Sequence, residues 1–164
     1  MRRALEIARG ALEEDGAVPY AAVVVKDGKI VGEGLNRAVA RSDPTSHGEI
    51  EAIRDACRRL GTPDLSGCDL YTTAEPCAMC VATMHLAHVE RLFYAASGAD
   101  SAPALAEIGR RDPRWARRIS GAELRREVGL PLERRAMPAR QLLAEEAKAL
   151  LDAFLARAPG GRKS

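Results

Sequence analysis

Aromatic residues are scarce. One Trp, three Tyr and two Phe make up 4% of the 164 residues. Single-stranded nucleic acid is held largely by bases stacking on aromatic rings, so this poverty argues against a nucleic-acid partner. Charge of one sign is lacking too: 25 Lys and Arg stand against 23 Asp and Glu, a formal +2, which excludes a histone-like polyanion binder. No run approaches the roughly 18 apolar residues of a membrane span. Met1-Arg2-Arg3-Ala4-Leu5-Glu6 mixes charged with apolar residues where a secretory leader carries an unbroken apolar stretch. The expectation is a cytoplasmic protein with no membrane partner. Structural disulfides are rare in that compartment, so the four cysteines read as buried thiols or metal ligands. What is plentiful is apolar residue, 46% of the chain, enough for a core and against disorder. The length suits one domain, expected over residues 1–158, with 159–164 as a flexible tail.

Leu5, Ala8 and Leu12 recur at helical spacing and predict a helix over residues 2–14, stopped by Gly16 and Pro19. Residues 20–25 are a strand run, Lys26-Asp27-Gly28-Lys29 a hairpin turn, and residues 30–35 the returning strand, weakened by Gly32 and Gly34. A second helix is expected from Thr45 or Ser46 to Leu60, a strand over 68–73, a third helix over 77–87 and a strand over 89–96. Strands alternating with helices predict an α/β layer sandwich, and the opening hairpin makes its sheet mixed. The second half differs in charge. Residues 1–109 hold 11 basic and 16 acidic side chains, whereas 110–164 hold 14 and 7, with ten arginines between 110 and 140. Residues 132–139 offer a final strand, and residues 142–156 a last helix with Leu142, Leu143, Leu150, Leu151, Phe154 and Leu155 on one side.

The few histidines and cysteines fall into a pattern. His47-Gly48-Glu49 opens the second helix and Glu75-Pro76-Cys77-Ala78-Met79-Cys80 opens the third. Zinc takes imidazole and thiolate ligands, and His47, Cys77 and Cys80 supply three, leaving a fourth tetrahedral position for water. Helix N-termini favour thiolate there. Zinc lowers the pKa of a bound water toward about 7, and an open site of this kind points to hydrolysis. Glu49, two residues beyond His47, is placed to move protons between water and substrate. His85 and His88 read as surface or core residues, and Cys57 and Cys68 as small buried hydrophobes. A structural zinc module that binds protein or nucleic acid is the non-enzymatic alternative.

His-x-Glu followed by Pro-Cys-x-x-Cys is the signature of zinc deaminases of nucleobases. Asp43-Pro44-Thr45-Ser46-His47-Gly48-Glu49 and Tyr71-Thr72-Thr73-Ala74-Glu75-Pro76-Cys77-Ala78-Met79-Cys80 resemble the cytidine deaminase-like superfamily, within it the branch of bacterial guanine deaminase and tRNA adenosine deaminase. The resemblance covers roughly residues 3–100 and resumes near Gln141. It implies a three-layer α/β/α sandwich on a five-stranded mixed sheet, usually a homodimer or larger assembly. It also implies zinc on His47, Cys77 and Cys80, a proton-shuttling Glu49, and a base contact from Asn36. Gly48 and Glu75, within the two motifs, join Asn36 as expected substrate-binding residues. Glu146 matches a second catalytic glutamate of the guanine branch, and Trp115 is a candidate cover for the pocket.

Phe93-Tyr94-Ala95-Ala96 followed by Ala99-Asp100-Ser101-Ala102 resembles the guanine branch. That branch continues with a Phe-Asp-Asp segment, where this chain reads Leu105-Ala106-Glu107-Ile108-Gly109-Arg110-Arg111-Asp112, leaving Glu107 and Asp112 as the nearest acidic residues. The arginines of 110–140 are the feature that favours tRNA, and they are interspersed with acids as on a solvated helix face. The expected reaction is hydrolytic deamination of a free nucleobase or nucleoside, guanine or a related aminopurine or aminotriazine. A cytosine-type deaminase and a tRNA adenosine deaminase are the alternatives.

Overall fold

Gly28 and Asp27 decide where the chain first reverses. Both sit at positive φ, 73° and 49°, which makes a hairpin turn whose twist matches that of its strands. The computed structural model describes residues 1–116 and 118–156. The chain forms a first compact unit, Met1–Val128, and a second that begins at Gly129. In the first unit the order is α1 (Arg2–Gly10), β1 (Val18–Lys26), β2 (Lys29–Asn36), a short α2 (Ala38–Arg41), α3 (Gly48–Leu60), β3 (Cys68–Ala74), α4 (Ala78–Leu86), β4 (Arg91–Ala96), α5 (Gly98–Arg111), a 3-10 turn (Pro113–Trp115) and α6 (Gly121–Gly129), whose last residue opens the second unit. The second unit carries a 3-10 turn (Leu132–Arg134) and α7 (Ala144–Ala156). The expected tail, 159–164, lies outside the described residues.

The sheet runs β2-β1-β3-β4. β1 is antiparallel to β2 and to β3, while β3 and β4 are parallel, joined by α4 as the crossover. The α/β class and the mixed sheet therefore hold, and the count of strands is corrected: the sheet has four strands, not five. The expected fifth, residues 132–139, begins with a 3-10 turn and contains no strand. Pro131 precedes it and Pro138 lies within it, and neither has an N–H to give a ladder.

Side chains of successive strand residues point to opposite faces. Ala22, Val24 and Leu70 pack with Ile50, Ile53 and Ala56 of α3 and with Cys80 and Met84 of α4. Their neighbours Ala21 and Leu35 pack instead with Ala8 and Ala11 around α1. Val23, Val24, Leu65 and Leu70 are wholly inside, each contributing about 1.5–3 kcal/mol.

Gly32 and Gly34 do not weaken β2; they let α3 lie on it. A Cβ at Gly32 would stand 2.3 Å from Ala52 O, and one at Gly34 only 2.1 Å from Gly48 O. Helices α5 and α6 were not foreseen from periodicity, and α6 and α7 bury no residue. Among the described residues, no helix is long and apolar enough to cross a membrane.

Candidate active site

Two helix starts meet at one point. His47 is the residue capping α3 and Cys77 the one capping α4, both in extended conformation, so each side chain leaves its helix at the end where backbone N–H groups are unpaired. Cys80 lies in the first turn of α4 and Glu49 in the first turn of α3. Cys77 Sγ is 3.7 Å from His47 Nδ1, Cys80 Sγ is 3.5 Å from the same nitrogen, and the two sulfurs are 3.6 Å apart. Zinc–sulfur bonds of about 2.3 Å and zinc–nitrogen bonds of about 2.0–2.1 Å at tetrahedral angles put donor atoms about 3.5–3.8 Å apart. The donor set and its edges fit a zinc ion with a fourth position left open. Among the described residues this is the one cluster of three metal-ligating side chains whose donor atoms gather within 4.8 Å.

The electrostatics suit a cation. Cys77 is pushed down to about 3, chiefly by its sulfur–sulfur hydrogen bond with Cys80, with His47 adding to the effect. Cys80 is pushed up by that same hydrogen bond and by burial. Zinc takes cysteine as thiolate, so binding releases the protons that the two sulfurs carry. Glu49 is 6% exposed, and burial raises its carboxyl above the usual range, against the opposing pull of its own backbone N–H and of His47.

A cavity of about 760 Å³ opens onto His47, Glu49 and Cys77. Tyr20, Asn36 and Glu75 line it from the sheet side, Ser101 from α5, Arg118 and Ser120 from the segment that leads into α6, and Glu123 and Arg125 from α6 itself. Asn36 is buried at the end of β2, its Oδ1 accepting the Ala38 N–H at 3.1 Å, so its amide nitrogen is the end left to offer a ligand.

The family described as "Cytidine and deoxycytidylate deaminase zinc-binding region" matches residues 1–96, the stretch that holds all three ligands and Glu49. The chain belongs to this family. Guanine deaminase of Bacillus subtilis (strain 168) is 36% identical over 146 residues, 89% of this chain and 85% of that protein. The crystal structure of guanine deaminase from Bacillus subtilis superposes with a TM-score of 0.80 at 33% identity, covering 98% of this chain and 94% of that one. A tRNA-specific adenosine deaminase of Agrobacterium fabrum is 47% identical, over only 96 residues, 58% of this chain and 62% of that enzyme. This chain is a zinc-dependent hydrolytic deaminase.

Other expected site residues of the deaminase fall in different places. Gly48 packs main chain on main chain: a Cβ there would stand 2.6 Å from Tyr20 O and 2.9 Å from Ala21 Cα. Glu75 lines the cavity, yet both its oxygens are engaged, Oε2 by the Gly98 N–H at 2.8 Å and Oε1 by Arg125. Trp115 ends the 3-10 turn, and Ala116 rather than the indole contributes to the cavity wall. Glu146 lies exposed in the first turn of α7, in the second unit. Glu107 is paired with Arg110 and Arg111, and Asp112 with Arg114, all beyond the cavity. His85 is exposed, and His88 stands on the surface 3.3 Å from Asp64. Cys68 is buried and Cys57 half-buried.

Tyr20, Ser101, Ser120, Glu123 and Arg125 were not anticipated. A signal for two of them does exist: Ser97-x-x-Asp100 and Ser120-x-x-Glu123 are capping boxes that announce the starts of α5 and α6. Nothing local announces that α6 faces the metal site.

Proposed function

We propose that this deaminase acts on a purine-type nucleobase, guanine, exchanging its exocyclic amine for a ring carbonyl with release of ammonia. The observation that carries the reading is how far each likeness extends. That to guanine deaminase runs over 89% of the chain, whereas that to the tRNA enzyme stops at 96 residues. The residues beyond β4 are the ones that wall the cavity away from the metal.

Zinc, held by His47, Cys77 and Cys80, would acidify a water so that it attacks at neutral pH. Glu49 is the buried carboxylate facing the cavity; it takes one proton of the water and delivers it to the ring nitrogen beside the attacked carbon, then passes the proton of the added hydroxyl to the departing amine as the carbonyl forms. The Asn36 amide, fixed through its oxygen, donates to the ring and orients it. Gly48 serves by letting α3 press on β1, which sets the height of His47 and Glu49.

A free base is favoured over nucleic acid because four of the ten arginines that suggested phosphate contacts are engaged by this chain's own acids. Arg110 and Arg111 share Glu107, Arg114 pairs with Asp112 and Arg125 with Glu75. A homodimer is favoured by α7, whose Leu150, Leu151, Phe154 and Leu155 are 63–74% exposed. Light scattering would return twice the chain mass. The free thiols Cys57 and Cys68 suit the cytoplasm.

The decisive experiment is an ammonia-release screen of the zinc-loaded protein against guanine, adenine, cytosine, isocytosine, ammeline, their nucleosides where they exist, and a tRNA anticodon stem-loop. Guanine is expected to give the highest kcat/KM. Turnover confined to the tRNA or to cytosine would overturn the reading.

A further inference from the structure

Helix α6 walls the cavity but buries no side chain. A wall that is not held by apolar packing must be held by a few polar contacts. Its own capping box, Ser120 N–H to Glu123 Oε2 at 2.7 Å and Glu123 N–H to Ser120 Oγ at 3.2 Å, is internal to the helix and anchors it to nothing else. Arg125 does reach outward. Its guanidinium pairs with Glu75, 50 positions away in the chain and two residues before the ligand Cys77.

Glu75 is a prepared anchor. Its N–H donates to Ala96 O at the end of β4, and its Oε2 accepts the Gly98 N–H at the start of α5, each at 2.8 Å. A Cβ at Gly98 would stand 3.1 Å from that oxygen, so glycine gives the carboxylate room. The remaining oxygen, Oε1, faces Arg125. Both of the cavities that touch His47 and Cys77 are closed by the same stretch, with Arg118, Ser120 and Gly121 common to the two.

We propose that Arg125 is a positioning residue: its ion pair with Glu75 helps latch α6 over the metal centre as the far wall of the substrate cavity, so that this pair tunes affinity for the base rather than the chemical step. The inference rests on the purine reading for its substrate but not for its structural half. Breaking the pair at Arg125 leaves Glu75 tied to β4 and α5, so the zinc ligands keep their places while α6 loosens. The two side chains are 49% and 33% exposed, so screening by water limits the effect. The wall is ordered by a factor of roughly three to five, and substrate binding falls by the same factor when the latch is lost.

The test compares wild type, Arg125→Gln, Arg125→Lys, Glu75→Gln and the Arg125→Gln/Glu75→Gln double variant, all zinc-loaded. It measures zinc content, steady-state kinetics and hydrogen exchange of the amides of residues 118–128. Arg125→Gln is expected to keep full zinc, raise KM for guanine roughly three- to fivefold, hold kcat within about twofold and speed α6 exchange by a similar factor. Arg125→Lys, which keeps the charge, recovers part of the KM loss, and the double variant is no worse than Glu75→Gln alone. Unchanged KM and exchange, a fall in kcat at constant KM, or additive losses would each overturn the latch. If the wild type releases no ammonia from guanine, the purine reading fails, and α6 exchange still decides the latch by itself.

Discussion

Residues 1–96 and residues 98–125 both face the same cavity, and they are built in opposite ways. The first stretch is interior: Ala22, Val24, Leu70 and Cys80 are fully enclosed, and glycines bring α3 main chain onto the sheet. In the second, Ser101 is the one residue of α5 that is buried, and α6 buries none. Ion pairs of the second stretch are mostly local, with Arg125–Glu75 its long-range exception. Arg3 reaches Glu33, 30 positions on, and Arg37 reaches Glu14, 23 positions back, whereas Arg110, Arg111 and Arg114 pair within four residues of themselves. The rigid half holds the groups that do chemistry, and the lightly packed half holds the groups that surround the substrate. Family likeness divides at the same place, since the shared zinc-binding region ends at residue 96. Chemistry and selectivity are thus carried by different kinds of structure.

The largest effect that would break this comparison lies at Glu49. Glu49→Gln preserves size and burial but cannot accept the water's proton, so kcat should fall by roughly 10²–10⁴-fold with zinc content unchanged. Near-normal turnover in metal-replete variant would take the proton transfer away from the rigid half. Next comes the main-chain contact. Gly34→Ala drives a Cβ to 2.1 Å from Gly48 O and should cost about 1–3 kcal/mol or more, read as a drop in denaturation midpoint together with lost activity. The matching change in the loose half, Gly121→Ala, meets nothing nearer than Arg125 Nη1 at 3.9 Å and should leave the midpoint within about 0.5 kcal/mol of wild type. Equal losses would erase the distinction.

Smaller still is the cap of α6. Ser120→Ala removes the oxygen that accepts the Glu123 N–H and should cost about 1 kcal/mol at the helix. Because α6 is held locally, the loss should appear as faster α6 exchange with little change in the global midpoint. The smallest effect concerns pH. The Arg3 guanidinium beside Glu33 holds that carboxyl below its ordinary 4.5, so the pair stabilises the fold above about that pH and ceases to do so as pH falls through the lowered value. Thermal melts of wild type and Glu33→Gln should therefore differ near neutrality and converge as the pH falls below that lowered value. A gap that persists at low pH would mean that packing, not charge, joins α1 to β2.

The same division explains what was legible in the sequence. His47, Glu49, Cys77 and Cys80 were readable because each pair lies within three positions at a helix start, so local spacing alone fixes their relation. The hairpin was readable from Asp27-Gly28, where positive φ is a property of the residues themselves. Gly32 and Gly34 were misread as strand weakeners because their purpose is contact with a helix that starts 14 residues after Gly34. The expected fifth strand rested on composition over 132–139, and the prolines just before and within it outweighed that. Helices α5 and α6 escaped because a helix that buries almost nothing leaves only a faint apolar stripe. The Arg125–Glu75 pair escaped for a simpler reason: 50 residues separate its partners, and no periodicity spans that distance.

The seat of α3 has a practical consequence for redesign. Where Gly32, Gly34 and Gly48 meet carbonyls and Cα atoms, the surfaces in contact are main chain, which has no rotamers to exchange. The placement of His47 and Glu49 is therefore inherited from covalent geometry and is little disturbed when side chains elsewhere are replaced. A library that varies residues 118–125 explores new substrates on a fixed reaction centre. One that varies the glycine seat changes the instrument itself.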